Sequence, residues 1–145
     1  MVGEEELKTN HHRLHRLTQK KMESLNELSY QIIGCAYKVH RELGPGLLES
    51  TYETCLHYEL SESGIKAERQ KELPLIYQNV PLNAGYRIDL LVDRRIVVEI
   101  KSVDSIAPIH KAQILTYMKL SKNKLGLLIN FNSVSLKEGI QRLIL

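Results

Sequence analysis

The clearest pattern in the chain is an alternation of apolar and polar residues between Tyr86 and Lys101, interrupted by the polar stretch Asp93-Arg94-Arg95. Alternation with period two on both sides of a short polar break is typical of a β-hairpin. Folding this segment about Arg94 creates an apolar face from three pairs: Ile88 with Ile100, Leu90 with Val98, and Val92 with Ile96. A shift by one residue would turn that face toward water, so the hydrophobic pattern defines the register.

Two helices are predicted before the hairpin, because apolar residues recur there at steps of three and four. The first runs from about Glu23 to Leu43 and the second from about Leu48 to Ser63. Gly44-Pro45-Gly46 separates them, since glycine can form a left-handed helix cap and proline cannot continue the helix. On the second helix, residues at i, i+3 and i+4 share a face, and these are Glu49, Tyr52 and Glu53.

The other segments complete the predicted order of elements. They are an extended and partly irregular strand at 66–77 containing Pro74, a turn region at 78–83, a third helix at 108–121, a buried strand at 125–131 and an edge strand at 140–145. Helices followed by a hairpin, a further helix and further strands predict an α/β sandwich in which helices flank a mixed central sheet.

The first 22 residues have no comparable apolar stripe. Only Leu7, Leu14 and Leu17 could pack, among charged residues and the three histidines His11, His12 and His15. We expect residues 1–22 to form a mobile tail and residues 23–145 to form a single domain. The histidines could alternatively bind a metal ion.

Composition narrows the class of protein without defining its function. A chain of 145 residues with 43% hydrophobic residues fits one globular domain, and a net charge of +3 permits nucleic-acid binding without arguing for it. The sequence shows neither a membrane-spanning run nor the core of a signal peptide. Cys35 and Cys55 have no metal-ligand spacing, so we expect free thiols in a reducing cytoplasm.

The hairpin register places Asp89 directly opposite Glu99, with Lys101 two residues along on the same face. Opposed carboxylates repel each other across an antiparallel pair. A bound divalent cation would offset that repulsion, since Mg²⁺ is commonly held by one or two carboxylates together with water and phosphate oxygens. The alternative interpretation is a solvated hairpin face that carries a mixed ion cluster.

The third helix carries a second group of candidate residues. Gln113 and Tyr117 are four residues apart and share a face, with His110 three residues before Gln113. Taken alone, such a pair is more often structural than functional. Glu49 at the start of the second helix could likewise be only a partner of the helix dipole.

These residues together resemble the motifs of the PD-(D/E)xK nuclease superfamily, in particular its exonuclease-like branch. The motifs are Asp89, then Glu99-Ile100-Lys101, then Gln113-x-x-x-Tyr117. Gly46, Glu49 and Tyr52 also match the motif that names the GxxExxY family, which is grouped with this superfamily. The resemblance extends from about Asn26 to the C-terminus. Ile88 stands where the superfamily often has a proline before the aspartate.

The resemblance implies a nuclease-like fold of the αββαβ type and a metal site. Asp89 and Glu99 would hold Mg²⁺, with Mn²⁺ able to substitute, helped by the carbonyl of Ile100 and by Glu49. Lys101 would orient or activate the attacking water. The remaining candidates would bind substrate or brace the site, and they are Gln113, Tyr117, His40 and Tyr52. His40 could instead be a core histidine.

Three functions remain open at this point. The first is a metal-dependent nuclease that acts on DNA, with RNA as the alternative substrate. A homo-oligomer is compatible with the sequence, and no membrane association is expected. The second is a non-catalytic nucleic-acid-binding or assembly module built on a nuclease scaffold. The third is a metal-handling protein that uses His40, Glu49 and the hairpin carboxylates.

Overall fold

The computed structural model describes residues 3–145. In chain order the elements are α1 (Glu4–Leu43), α2 (Glu49–Glu62), β1 (Ala67–Glu72), β2 (Leu75–Tyr77), β3 (Val80–Leu82), β4 (Arg87–Val92), β5 (Ile96–Lys101), α3 (Pro108–Ser121), β6 (Leu125–Asn130), α4 (Leu136–Gly139) and β7 (Ile140–Ile144).

The main sheet has five strands in the order β1-β4-β5-β6-β7. β5 and β6 are parallel, and α3 forms the crossover between them, while the other neighbouring strands are antiparallel. Helices on both sides of a mixed sheet confirm the predicted α/β sandwich and its nuclease-like order of elements.

The two faces of the sheet have separate apolar clusters. One cluster joins α1 and α2 to residues such as Leu90, Val98 and Leu127. The other lies under α3, where Met118 and Ile114 pack on Val97 and Leu128. α3 sits very close to the sheet at Gly126, since a Cβ there would lie 2.6 Å from the Met118 sulfur. This close approach brings the polar side chains of α3 to the end of β5.

The first helix differs from the prediction, because it begins at Glu4 rather than near Glu23. Residues 3–21 are exposed throughout, so this part of α1 projects from the domain instead of packing on it. The apolar pattern cannot reveal such a helix, since no face of it is buried. The expected tail also included Met1 and Val2, which lie outside the described residues.

The segment before the hairpin also differs. The single strand expected at 66–77 is divided into β1 and β2 around Pro74, and the expected turn region contains β3, which pairs with β2 in a small separate sheet. Proline lacks the N–H that a central strand needs, which is consistent with a break at Pro74 and with Pro81 in a short outer strand.

A candidate metal site at the open end of the β4–β5 hairpin

The hairpin forms in the predicted register but opens toward its far end. Leu90 pairs with Val98 and Val92 with Ile96. The expected pair of Ile88 with Ile100 does not form, because Ile88 packs in the cluster under α3 while Ile100 lies in the cluster on the other face. The regular alternation of β4 therefore breaks between Ile88 and Leu90, at Asp89.

Asp89 and Glu99 lie in this opening, and each of their carboxyl groups accepts a hydrogen bond from a backbone N–H group. Glu99 Oε1 accepts the backbone N–H of Asp89 at 3.1 Å, and Asp89 Oδ2 accepts the backbone N–H of Ile100 at 2.8 Å. Each carboxylate is thus fixed to the strand that carries the other one. This arrangement keeps the two carboxyl groups close together, as the sequence predicted.

Glu99 is almost completely buried, with 3% of its surface exposed. Burial, and then the neighbouring Asp89 carboxylate, raise the pKa of Glu99 to about 9. Near neutral pH the carboxyl group of Glu99 therefore retains its proton in the absence of a cation. A cation that enters the opening must displace that proton.

Lys101 lies beside the pair at the end of β5 and is connected to α3. Its Nζ donates to Gln113 Oε1 at 3.1 Å, and Gln113 Nε2 donates to the Tyr117 hydroxyl at 3.1 Å. Burial raises the pKa of the Tyr117 phenol. The structure thus brings Lys101, Gln113 and Tyr117 together in one hydrogen-bonded chain, while His110 accepts the N–H of Ala107 at the start of the same helix.

Glu49 lies on the opposite side of the opening, at the start of α2. It lines a cleft of about 450 Å³ together with Asp89 and Ile100. Its Oε1 accepts the N–H of Ser102 at 3.3 Å, and the Ser102 hydroxyl donates to the carbonyl of Leu47 at 2.6 Å. The loop after Lys101 is thereby attached to the corner between α1 and α2.

Tyr52 is buried beneath the corner between α1 and α2, where it supports the backbone and does not line the cleft. Its hydroxyl donates to the Gly44 carbonyl at 2.6 Å and accepts the N–H of Leu47 at 3.1 Å. Its ring stacks on Phe131, with centroids 4.6 Å apart. Gly46, at φ 97°, supplies the left-handed turn of the corner. The Gly-x-x-Glu-x-x-Tyr pattern therefore builds the corner that presents Glu49.

His40 is not part of the cleft. Its Nε2 lies 2.7 Å from the carbonyl oxygen of Ser133, in the loop that follows β6. This half-buried ring is paired with the backbone of another element, which favours the alternative that His40 is a core histidine, and a part for His40 in substrate binding stays a prediction.

Three side chains that the sequence did not assign to the site also meet there. Glu53 of α2, which is buried, accepts hydrogen bonds from Arg69 and Gln70 of β1, and Gln70 Nε2 also donates to Asp89 Oδ1 at 3.3 Å. The spacing of Glu53 four residues after Glu49 was a usable signal. Nothing in the alternation of β1 indicated that Gln70 would reach Asp89.

The donor set suits a hard cation that shares its coordination with water or substrate. Among residues 3–145 no group of three or more His, Cys, Asp or Glu side chains is placed to hold a metal ion, and this applies to the N-terminal histidines as well. Asp89 and Glu99 offer two carboxylates, and Mg²⁺ typically needs only one or two when phosphate and water complete its shell. The residues present therefore fit Mg²⁺ better than a metal that requires an all-protein cage.

The chain belongs to the PD-(D/E)XK nuclease superfamily, whose family model matches residues 26–143. The more specific assignment to the GxxExxY family stays a prediction. Compared with the curated proteins and with the solved structures, the chain has no significant match. Among the described residues no helix is both long enough and apolar enough to span a membrane.

Proposed function

We propose that the protein is a Mg²⁺-dependent nuclease that hydrolyses phosphodiester bonds of DNA. The observation that supports this most is the pair Asp89 and Glu99, held face to face by backbone N–H groups at an opening that Lys101 borders. A structural ion cluster would neutralise buried carboxylates with a cation of the chain, whereas the Lys101 ammonium is hydrogen-bonded to Gln113. Asp89 and Glu99 form no salt bridge within the described part of the chain, so an external cation that displaces the proton of Glu99 would find two carboxylate ligands in the opening.

In this proposal Asp89 and Glu99 hold the ion, the Ile100 carbonyl contributes a third oxygen, and Glu49 approaches from the rim of the cleft. When bound, Mg²⁺ would neutralise charge at the scissile phosphate and lower the pKa of a coordinated water. Mn²⁺ has the same preference for oxygen ligands and would substitute.

Lys101 supplies the cationic donor of the site. An ammonium group has three N–H donors, and Gln113 uses one of them, so the others remain to contact a phosphate oxygen or the attacking water. Tyr117 holds Gln113 in place through its hydroxyl. A donor fixed before the substrate arrives stabilises developing negative charge without reorganising during the reaction.

The experiment is a cleavage screen of the full chain on linear and circular DNA, single-stranded and double-stranded, with RNA in parallel. Each substrate is incubated with Mg²⁺, with Mn²⁺ and with EDTA, beside the Glu99→Ala variant purified in the same way. We expect cleavage of DNA that requires the metal and disappears in the variant.

Other outcomes separate the remaining functions. Cleavage of RNA alone would change the substrate and keep the chemistry. Binding of nucleic acid by wild type and variant alike, with no cleavage, would overturn the proposal and favour the non-catalytic module. Cleavage that survives Glu99→Ala would point to a contaminating nuclease.

A further inference from the structure

Gln70 has an unusual backbone conformation within β1. Its φ is 49°, in the left-handed region, although it is not a glycine and lies in the middle of a strand. The flanking pairs Arg69 with Leu90 and Lys71 with Ile88 form, and between them Gln70 is level with Asp89. A strained residue persists in a strand only where its surroundings fix it, and such residues concentrate at functional sites.

The positive φ changes the direction of the Gln70 side chain. Successive side chains of a regular strand point to opposite faces of the sheet. Here Arg69 and Gln70 both reach the same carboxylate on α2, Arg69 donating to Glu53 Oε2 at 3.1 Å and Gln70 to Glu53 Oε1 at 2.5 Å. The strained backbone thus brings the Gln70 amide to the side where Asp89 is accessible.

The side-chain amide of Gln70 holds the second oxygen of the Asp89 carboxylate. Gln70 Nε2 donates to Asp89 Oδ1 at 3.3 Å, while Asp89 Oδ2 accepts the N–H of Ile100. Both oxygens are therefore held from opposite sides. Glu53, which fixes the amide, is in turn held by Arg69. Groups that orient a metal-binding carboxylate in this way affect affinity for the metal without touching it.

We propose that Gln70 is a positioning residue that orients the Asp89 carboxylate toward a divalent cation. This inference rests on the proposed function, since it assigns Gln70 a part in the same metal site. Gln70 acts through Asp89 and contacts neither the reacting phosphate nor the water. Its strained backbone is the structural requirement for that contact.

Two substitutions separate orientation of Asp89 from support of the fold. Gln70→Met keeps a side chain of similar volume and the strained positive φ, but it removes the amide N–H donor. Gln70→Gly removes the same donor and also relieves the strain, because glycine adopts a positive φ readily. Gln78, at φ 50° in the turn between β2 and β3, provides the matched control Gln78→Gly, which relieves similar strain at an exposed position outside the cleft. Mn²⁺ affinity is measured from the paramagnetic resonance signal of the free ion, and the melting temperature is measured without metal.

We expect both Gln70 variants to bind Mn²⁺ about 10–100-fold more weakly, with Gln78→Gly unchanged. Gln70→Gly should keep a melting temperature close to that of wild type, because relief of strain offsets the lost hydrogen bonds. Unchanged Mn²⁺ affinity in Gln70→Met would overturn the proposal, as would a loss of affinity seen only in a variant that is also unfolded.

The Mn²⁺ affinities and the cleavage screen together distinguish failure of this inference from failure of the proposed function. If wild type binds Mn²⁺ but cleaves no nucleic acid, the nuclease proposal fails while the affinities of the Gln70 variants still decide the inference. If wild type binds no Mn²⁺, both proposals are overturned.

Discussion

Asp89 and Glu99 are joined by a backbone contact, since the N–H of Asp89 donates to the carboxylate of Glu99 at 3.1 Å. The carboxylate of Asp89 in turn accepts the N–H of Ile100. The hairpin has no ladder pair beyond Leu90 and Val98, so side chains here take the place of main-chain partners. The two carboxyl groups are therefore part of the connection between the strands, and we expect their protonation to affect folding as well as the proposed metal binding.

Glu99→Gln should stabilise the metal-free protein at alkaline pH. Folding raises the pKa of Glu99 from 4.5 to about 9. The neutral carboxyl group therefore contributes fully to the free energy of unfolding below pH 4.5, and this contribution is lost as pH rises toward 9. The loss is on the order of 3–4 kcal/mol by pH 7. Glutamine mimics the neutral acid, so the variant should lack this decline.

The measurement is thermal unfolding in EDTA between pH 4 and pH 9 for both proteins. The wild-type melting temperature should fall across this range relative to that of Glu99→Gln. Parallel curves would show that Glu99 is already ionised in the folded protein. With Mg²⁺ present, wild type should bind the ion more tightly as pH rises, because the ion must displace the proton of Glu99.

Lys101→Met should slow the chemical step and leave metal affinity largely intact. Lysine is not a metal ligand, and removal of one preorganised charge stabiliser typically lowers the rate by about 10²–10³. Single-turnover cleavage and Mn²⁺ affinity measure the two effects separately. Lys111→Met, an exposed lysine on α3, is the control. A variant that loses Mn²⁺ binding together with activity would contradict the assigned role of Lys101.

The sequence predicted the parts of the site that depend on regular periodicity. The hairpin alternation brought Asp89 close to Glu99 and the helical spacing brought Gln113 next to Tyr117, and in the structure a hydrogen bond joins the two residues of each pair. These predictions succeed because a buried apolar face permits only one register. α3 also has its predicted bounds, since Pro108 favours the first turn of a helix.

Departures from periodicity could not be predicted in the same way. The left-handed backbone of Gln70 and the change of face at Ile88 are local breaks in strands that otherwise alternate normally. Both occur level with or next to Asp89, where contacts from α2 and β5 outweigh the intrinsic preference of the strand. For His40 the sequence left two roles open, and its pairing with the Ser133 carbonyl favours that of a core histidine.

Removal of the first 21 residues should leave the domain folded. The described residues before Met22 are exposed, and the leucines there retain much of their surface, at 61% for Leu7, 64% for Leu14 and 47% for Leu17. A chain starting at Met22 should melt within about 2–3 °C of the full chain. A larger loss, or a lower molecular mass in solution than expected from the truncation alone, would show that this part of α1 packs on the domain or on a second copy.

Tyr52→Phe tests whether the corner between α1 and α2 presents Glu49 to the site. The substitution keeps the ring stacked on Phe131 but removes the hydroxyl that joins Gly44 to Leu47. Leaving these partly buried backbone groups without a partner should lower the free energy of unfolding by about 1–3 kcal/mol. Tyr58→Phe on the same helix is the control, because that ring is exposed and should tolerate the change within about 0.5 kcal/mol.

Denaturant unfolding measures the free energy of unfolding of both variants. Cleavage by the folded Tyr52→Phe protein should need a higher Mg²⁺ concentration, because Glu49 is held less firmly. Equal stability of the two variants would mean that the hydroxyl does not hold the corner.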